Sequence, residues 1–270
     1  MSTLSEIIEE QLSILSEHFS KNHSRYNNVI SIIVDGSFVR GDFLDNNSDI
    51  DITITVNDVR NGVNKEIVHF LNELEANLPK RDVSHKPLKY DVQWQSYSDV
   101  LKLGKLSIDE WNGSLIPSGY PKLWLYAFDV VNHHRVIYGP DVTVHYSRID
   151  PDDFVALRIE RLKNACVSLM GNIGNYEIEH GGITQIKNTF EIMRALYLSK
   201  GFKSINKHEV CNYYLEDRMD EASKNTSMKL IKYILYQKID DISIFRKELF
   251  EYSMKMIEEY EKQGLTQIST

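Results

Sequence analysis

The sequence predicts an α+β protein with two domains. A mixed sheet with helices is expected over residues 1–150, and an all-α helical bundle over residues 151–270. Two observations support this division. Strand-like runs fall in the first half, whereas helical periodicity dominates after Pro151, a residue that suits the first turn of a helix. A third observation is the length of 270 residues, which suits two modest domains better than one small core.

Hydrophobic spacing predicts each element of the first half. Apolar residues at three- and four-residue steps indicate helices, β-branched runs indicate buried strands, and strict alternation indicates a strand with one polar face. Glycine, aspartate and asparagine between residues 36 and 48 indicate turns. The predicted elements are a helix over 3–21, strands over 29–34 and 50–56, a helix over 62–78, a strand over 88–94 and, within an irregular segment 96–150, a strand over 135–138.

The second half reads as helical throughout. Gly201 follows Lys200 in the manner of a glycine that ends a helix. The predicted helices cover 152–170, 183–200, 207–217, 226–238 and 242–262.

Composition narrows the classes of function. The formal net charge of -8 disfavours general nucleic-acid binding, which draws on Lys and Arg, and suits a cationic small molecule. No apolar run is long enough to cross a membrane, and the N-terminus does not resemble a secretory signal. Two cysteines form no disulfide framework, so we expect a cytoplasmic protein with reduced thiols.

One segment between two predicted strands carries the chemistry. It begins with Gly36-Ser37, where a tight turn would present backbone N–H groups and a hydroxyl to phosphate oxygens. Asp49 and Asp51 follow, and side chains two residues apart on a strand point to the same face. Two neighbouring carboxylates repel unless a cation lies between them. Magnesium, which binds carboxylates together with substrate phosphates, is therefore the expected ion.

A third carboxylate is expected from a neighbouring strand, and Asp91 is the candidate. We expect Asp91 to take the proton from an acceptor hydroxyl and to contact metal together with Asp49 and Asp51. An ordinary strand-edge aspartate is the alternative interpretation.

These residues resemble the signature of the polymerase-beta-type nucleotidyltransferase superfamily, Gly-Ser followed by Asp-x-Asp. Length and layout are most similar to the aminoglycoside (streptomycin/spectinomycin) adenylyltransferases. That resemblance implies ATP as co-substrate, and it places Gly36, Ser37 and Ser48 at the nucleotide. It also implies that Arg194 and Lys207, which have the family's thirteen-position separation, reach the phosphates and that Tyr233 binds the nucleotide. A structural ion pair of Arg194 with Glu191, or with an acidic residue of the first domain, is the alternative for that arginine.

The sequence also departs from this family. Asp35 stands before Gly-Ser, where the family has an aromatic or aliphatic residue, and Asp91 stands where those enzymes use a glutamate. The family's substrate-binding acids have no clear match. Glu177 and Glu179 are the candidates to face an amino-sugar, with a solvated loop as the alternative. Trp111 is a candidate to stack on a sugar ring, with structural packing as the alternative.

The combined expectation is a magnesium-dependent enzyme that transfers AMP from ATP to a hydroxyl of a small cationic acceptor such as an aminoglycoside and releases pyrophosphate. Two alternatives stay open. One is a nucleotidyltransferase that modifies a protein or RNA, of the toxin–antitoxin kind, and the other is a nucleotide-binding protein without catalysis. Sequence alone leaves the acceptor and the oligomeric state undefined.

Overall fold

The structure is a computed structural model. It describes residues 3–45, 48–57, 65–81, 87–103 and 130–146, most positions between 155 and 167, and residues 177–202, 206–216, 221–236 and 242–268. The chain divides into two compact units, Met1–Ile149 and Asp150–Thr270.

A mixed sheet forms the centre of the first unit. Its described strands are β1 (Val29–Asp35), β2 (Ile50–Val56), β3 (Tyr90–Ser96) and β4 (Arg135–Tyr138), in the spatial order β3-β2-β1-β4. β1 pairs antiparallel with both β2 and β4, whereas β2 pairs parallel with β3. The parallel pair brings the N-terminal ends of β2 and β3 to the same end of the sheet, where Ile50 N donates a hydrogen bond to Lys89 O.

Helices flank these strands. The described helices of this unit are α1 (Leu4–Lys21), α2 (Gly36–Arg40), α3 (Lys65–Ala76) and α4 (Tyr97–Leu103), followed by a 3-10 helix at Val142–His145. α1 begins where it does because the Thr3 side chain accepts a hydrogen bond from the backbone N–H of Glu6, whose own side chain accepts one from the backbone N–H of Thr3.

The two faces of the sheet differ in chemistry. On one face, the apolar stripes of α1 and α3 form a core with alternate residues of β1, β2 and β3, among them Ile32, Ile52 and Ile54. The opposite face carries buried polar residues that bond to one another. Gln95 donates to Thr55 Oγ1 at 2.9 Å and exchanges hydrogen bonds with the hydroxyl of Tyr146. Burial of these polar groups is tolerated because each has a partner.

The second unit is helical in all of its described parts. Its helices are α5 (Glu177–Ser199), α6 (Lys207–Glu216), α7 (Glu221–Tyr236) and α8 (Ile242–Ile268), and the described positions between 155 and 167 are also helical. α5 packs on α8, where the hydroxyls of Thr189 and Ser253 are 2.9 Å apart in a buried hydrogen bond. α5 is followed by a turn at Gly201, which has a φ of 84° and whose backbone N–H donates to Leu198 O.

The predicted fold class is confirmed, and most boundaries differ by a few residues. One prediction is wrong in kind: the segment after β1 does not turn at once, because Gly36–Arg40 forms a short helix. Gly41, which has a φ of 75°, then ends that helix. A Cβ at Gly41 would meet no atom within 4 Å, so its backbone angle, and not crowding, explains the glycine.

Among the helices that the structure describes, none combines the length and the apolar character that a membrane crossing requires.

Candidate active site

Three aspartates lie side by side at one end of the sheet. Asp35 at the end of β1 pairs with Asp51 in β2, and Asp51 pairs in turn with Asp91 in β3. Paired residues on adjacent strands project to the same face, so these carboxylates form a row across three strands. Asp35 is buried, Asp51 is half-buried and Asp91 is exposed. The register thus brings together Asp51 and Asp91, the pair that the sequence placed on separate strands.

Asp49 and Asp51 flank Ile50, which is fully buried in the apolar core. Because alternate residues of a strand point to opposite faces, Asp51 lies on the face away from that core, and Asp49 is the residue directly before β2. Both aspartates are half-buried.

Gly36 makes room for the Asp51 carboxylate. A Cβ built on Gly36 would lie 1.9 Å from Asp51 Oδ2, well inside van der Waals contact, and Gly36 has a φ of 70°. Asp51 therefore packs directly against the turn that joins β1 to α2. Ser37, the next residue, is buried in the first turn of α2.

The loop before β2 is closed by reciprocal hydrogen bonds. Ser48 N donates to Leu44 O at 2.9 Å, and Leu44 N donates to Ser48 Oγ at 2.9 Å. Ser48 was predicted to contact the nucleotide, and its side chain takes part in this loop closure.

Arg81 is a site residue that the sequence reasoning missed. Its Nη2 donates to Ser48 O at 2.7 Å and to Leu44 O at 3.5 Å, so it binds the segment that leads into Asp49. Burial lowers the pKa of the Arg81 guanidinium, while the charges of Asp49 and Asp45 oppose that shift. Arg81 lies between α3 and β3 in the chain and reaches the loop before β2 through these two hydrogen bonds. Arg81 stands in no motif, so no local pattern of the sequence signals its contact with Ser48.

Asp35 is buried on the polar face of the sheet. It is 2% exposed, and its Oδ2 accepts a hydrogen bond from Thr53 Oγ1 at 3.1 Å. Its negative charge contributes to raising the pKa of Tyr146 to about 12, after the larger effect of burial. The departure from the family's apolar residue thus places a buried acid beside Asp51.

In the helical unit, the three predicted nucleotide-binding residues are buried or half-buried. Arg194 is 9% exposed, donates from Nη1 to Glu191 Oε1 at 2.8 Å and lies over the ring of Phe190 at 4.8 Å. The alternative ion pair with Glu191 is therefore present. Lys207 is the first residue of α6 and is half-buried. Tyr233 is also half-buried, and burial raises its pKa.

Three candidate substrate residues lack a described side chain. Trp111 lies outside the described residues, and Glu177 and Glu179 fall in the first turn of α5, where only the backbone is described.

The carboxylates fit magnesium as part of a shared site. Within the described residues, no group of three or more His, Cys, Asp or Glu side chains converges tightly enough to hold a metal ion by itself. Magnesium commonly takes one or two protein carboxylates and completes its shell with substrate phosphates and water. Asp49 and Asp51 supply such a pair of oxygen donors.

A comparison of the sequence with protein families gives a match within the first unit. Residues 9–107 match the family model described as a nucleotidyltransferase domain. The match runs from α1 to α4 and so includes Gly36, Asp49, Asp51 and Asp91. This confirms the resemblance drawn from Gly-Ser and Asp-x-Asp, and with it the expectation of a nucleotidyltransferase enzyme.

Solved structures show that the fold extends beyond the nucleotidyltransferase domain. The crystal structure of spectinomycin adenyltransferase AAD(9) from Enterococcus faecialis with ATP and spectinomycin matches with a TM-score of 0.57. The match covers 91% of this chain and 99% of that chain at 16% sequence identity. At this identity the likeness is one of fold, and it includes the helical half. No curated protein sequence matches the chain.

Proposed function

We propose that the chain is a magnesium-dependent nucleotidyltransferase that moves AMP from ATP to a hydroxyl of a small cationic acceptor, such as an aminoglycoside, and releases pyrophosphate. The observation that carries this proposal is the register that aligns Asp51 with Asp91 while Asp51 packs against Gly36. It supports a metal-binding carboxylate and a proton acceptor on adjacent strands of a nucleotidyltransferase domain.

In this proposal Asp49 and Asp51 hold the ion. Magnesium, when bound, would neutralise the charge that develops on the triphosphate as pyrophosphate departs. Gly36 and Ser37 bind phosphate oxygens, and Ser48 supports the site through the loop that ends at Asp49. Arg194, Lys207 and Tyr233 are proposed to bind the nucleotide, with Arg194 also paired to Glu191.

The transfer step needs one proton acceptor. The acceptor hydroxyl loses its proton to Asp91 as its oxygen bonds to the α-phosphorus of ATP, and the bond from that phosphorus to the pyrophosphate oxygen breaks. Asp91 is exposed, so a hydroxyl compound can approach its carboxylate. Positioning of the two reactants contributes much of the rate in such reactions.

A small cationic acceptor is supported by two observations. The net charge of -8 favours a cationic ligand, and the fold is shared with an enzyme solved with ATP and spectinomycin. Glu177, Glu179 and Trp111 stay candidates for contact with this acceptor.

Pyrophosphate release from magnesium and ATP tests the proposal. The enzyme is offered aminoglycosides, spectinomycin and lincosamides one at a time, with Asp49→Asn/Asp51→Asn as the inactive variant. Glu17→Gln/Glu66→Gln is the matched control, because it removes the same charge from two exposed ion pairs elsewhere in this unit.

Release that requires one compound, persists in the control and disappears in the inactive variant supports the proposal and identifies the acceptor class. Magnesium-dependent ATP binding without release for any compound contradicts the small-molecule acceptor and favours a macromolecular one. Absence of ATP binding contradicts the choice of nucleotide.

A further inference from the structure

We infer that Arg81 is a positioning residue for the metal-binding carboxylate of Asp49, acting through the backbone of the loop before β2. The inference rests on the proposed function, because it assigns Asp49 to a divalent cation. Neither the nucleotidyltransferase signature nor the pattern of the chain around Arg81 assigns this arginine a role.

The contacts of Arg81 are with main-chain atoms beside the site. Its Nη2 donates to Ser48 O at 2.7 Å, the carbonyl of the residue directly before Asp49. The same atom lies 3.5 Å from Leu44 O. These two carbonyls belong to the residues that the loop's own hydrogen bonds join, so one guanidinium fixes both ends of the closed segment.

The position of Arg81 is itself fixed. Its guanidinium carbon lies 5.9 Å from the ring centroid of Phe43, and Phe43 packs edge-on against Phe38 of α2 at 5.7 Å between ring centroids. Arg81 therefore links the loop before β2 to the aromatic side of the helix that follows Gly36. A planar guanidinium can donate to carbonyls while it lies over an aromatic ring, which an ammonium group does less well.

Charge and hydrogen bonding at Arg81 predict opposite effects on a bound cation. The Arg81 charge acts on Asp49 and Asp45, so by charge alone it opposes cation binding at Asp49. Its hydrogen bond to Ser48 O orders the backbone of the neighbouring residue, which favours cation binding because ligand direction is set before the ion arrives. A positioning role means that the second effect is the larger one.

The sign of the change in cation affinity therefore tests the inference. Binding of Mn²⁺ is measured by electron paramagnetic resonance on the full chain, alone and with a non-hydrolysable ATP analogue. Arg81→Ala is expected to raise the dissociation constant for Mn²⁺ about tenfold, while Arg81→Lys, which keeps the charge but not the planar donors, raises it about threefold. Arg25→Ala is the matched control, since it breaks another arginine contact between two segments of the same unit, at Glu66.

Each outcome decides the inference. Unchanged or tighter Mn²⁺ binding by Arg81→Ala overturns it, even where the thermal midpoint falls, because a purely structural arginine would lower stability without changing cation affinity. If Arg81→Ala does not fold, Arg81→Lys decides in the same way. If the wild-type chain binds no Mn²⁺ in either condition, the metal of the proposed function fails and this inference fails with it. If the wild type binds Mn²⁺ and Arg81→Ala binds equally well, only the role of Arg81 is contradicted.

Discussion

Gly36 and Asp51 are packed so closely that no side chain fits between them. A Cβ on Gly36 would lie 1.9 Å from Asp51 Oδ2 and 2.8 Å from its Cγ. The signature glycine thus does two things: it permits a positive φ at the end of β1, and it leaves space for the carboxylate proposed to bind magnesium. The Gly-Ser and Asp-x-Asp parts of the signature are therefore in direct contact, through Gly36 and Asp51.

Gly36→Ala is expected to abolish Mn²⁺ binding and nucleotidyl transfer, because the new methyl group displaces the Asp51 carboxylate. Gly41→Ala is the control, with a similar φ of 75° and open space around the glycine. It should cost about 1–2 kcal/mol of stability, the penalty for a side chain in the left-handed region, and keep Mn²⁺ binding. Thermal unfolding and Mn²⁺ titration distinguish the two. Equal Mn²⁺ affinity in both variants would contradict the steric account.

Asp91→Asn is expected to lower kcat by about 10²–10⁴-fold, the usual contribution of a general base. ATP affinity should stay within about twofold, since Asp49 and Asp51 retain the proposed metal site. Asp91→Glu should retain more activity than the amide, because a carboxylate remains. Pre-steady-state transfer and equilibrium ATP binding separate these effects. A kcat unchanged in Asp91→Asn would assign the proton to another acceptor.

Thr53→Val is expected to destabilise the first unit by about 1–3 kcal/mol. The substitution removes the hydroxyl that donates to buried Asp35. The carboxylate then has one hydrogen bond fewer to offset the cost of its burial. Thr53→Ser keeps the donor and should cost less. Chemical denaturation followed by the fluorescence of the first unit's tryptophans measures both. A smaller loss of unfolding free energy in Thr53→Val than in Thr53→Ser would show that the hydrogen bond contributes no net stability.

Gly139→Ala is expected to disrupt the edge of the sheet. A Cβ there would lie 1.9 Å from the backbone carbonyl oxygen of Ile30, and a backbone atom in a central strand cannot move aside cheaply. Gly201→Ala provides the comparison, because that glycine has a φ of 84° but no atom within 4 Å of a Cβ. We expect a clearly larger fall in the thermal midpoint for Gly139→Ala. Comparable falls would mean that φ alone sets the cost.

Both thiols should be inert in the native protein. Cys166 and Cys211 are buried, and burial raises the pKa of the Cys166 thiol, which lowers its thiolate fraction. Titration with a chromogenic disulfide reagent should give slow reaction in buffer and two equivalents after denaturation. Fast reaction of either thiol without loss of structure would contradict the burial.

The sequence predicted the parts of this protein that depend on local pattern. The alternation of Ile50 to Val56 located β2, which begins and ends at these two residues. Long-range pairing was harder to predict. Arg81 lies in a stretch without motif, and its contact with Ser48 joins residues 33 positions apart.

Two other features were harder to predict because one local pattern allows two structures: the segment after Gly36 and the partner of Arg194. The residues after Gly36 looked like a turn, yet Ser37 to Arg40 complete one short helix before Gly41 ends it. Arg194 shows a limit of a different kind. Its place in an apolar helix correctly predicted that it needs an anion, but the pattern did not choose between a ligand phosphate and Glu191, and Glu191 already accepts its hydrogen bond.

The order of the strands has a consequence for how the domain folds. The contact of Asp35 with Thr53 joins residues 18 positions apart, whereas the contact of Ser31 with Pro140, beside β4, joins residues 109 positions apart. Short loops close faster and at lower entropic cost than long ones. The β1–β2 hairpin, and with it the Gly36–Asp51 contact, is therefore expected to form during synthesis before the ribosome has released β4. The Gly36–Asp51 part of the proposed catalytic centre would then be ordered early, Asp91 would join it when β3 pairs with β2, and the edge strand β4 would be added late.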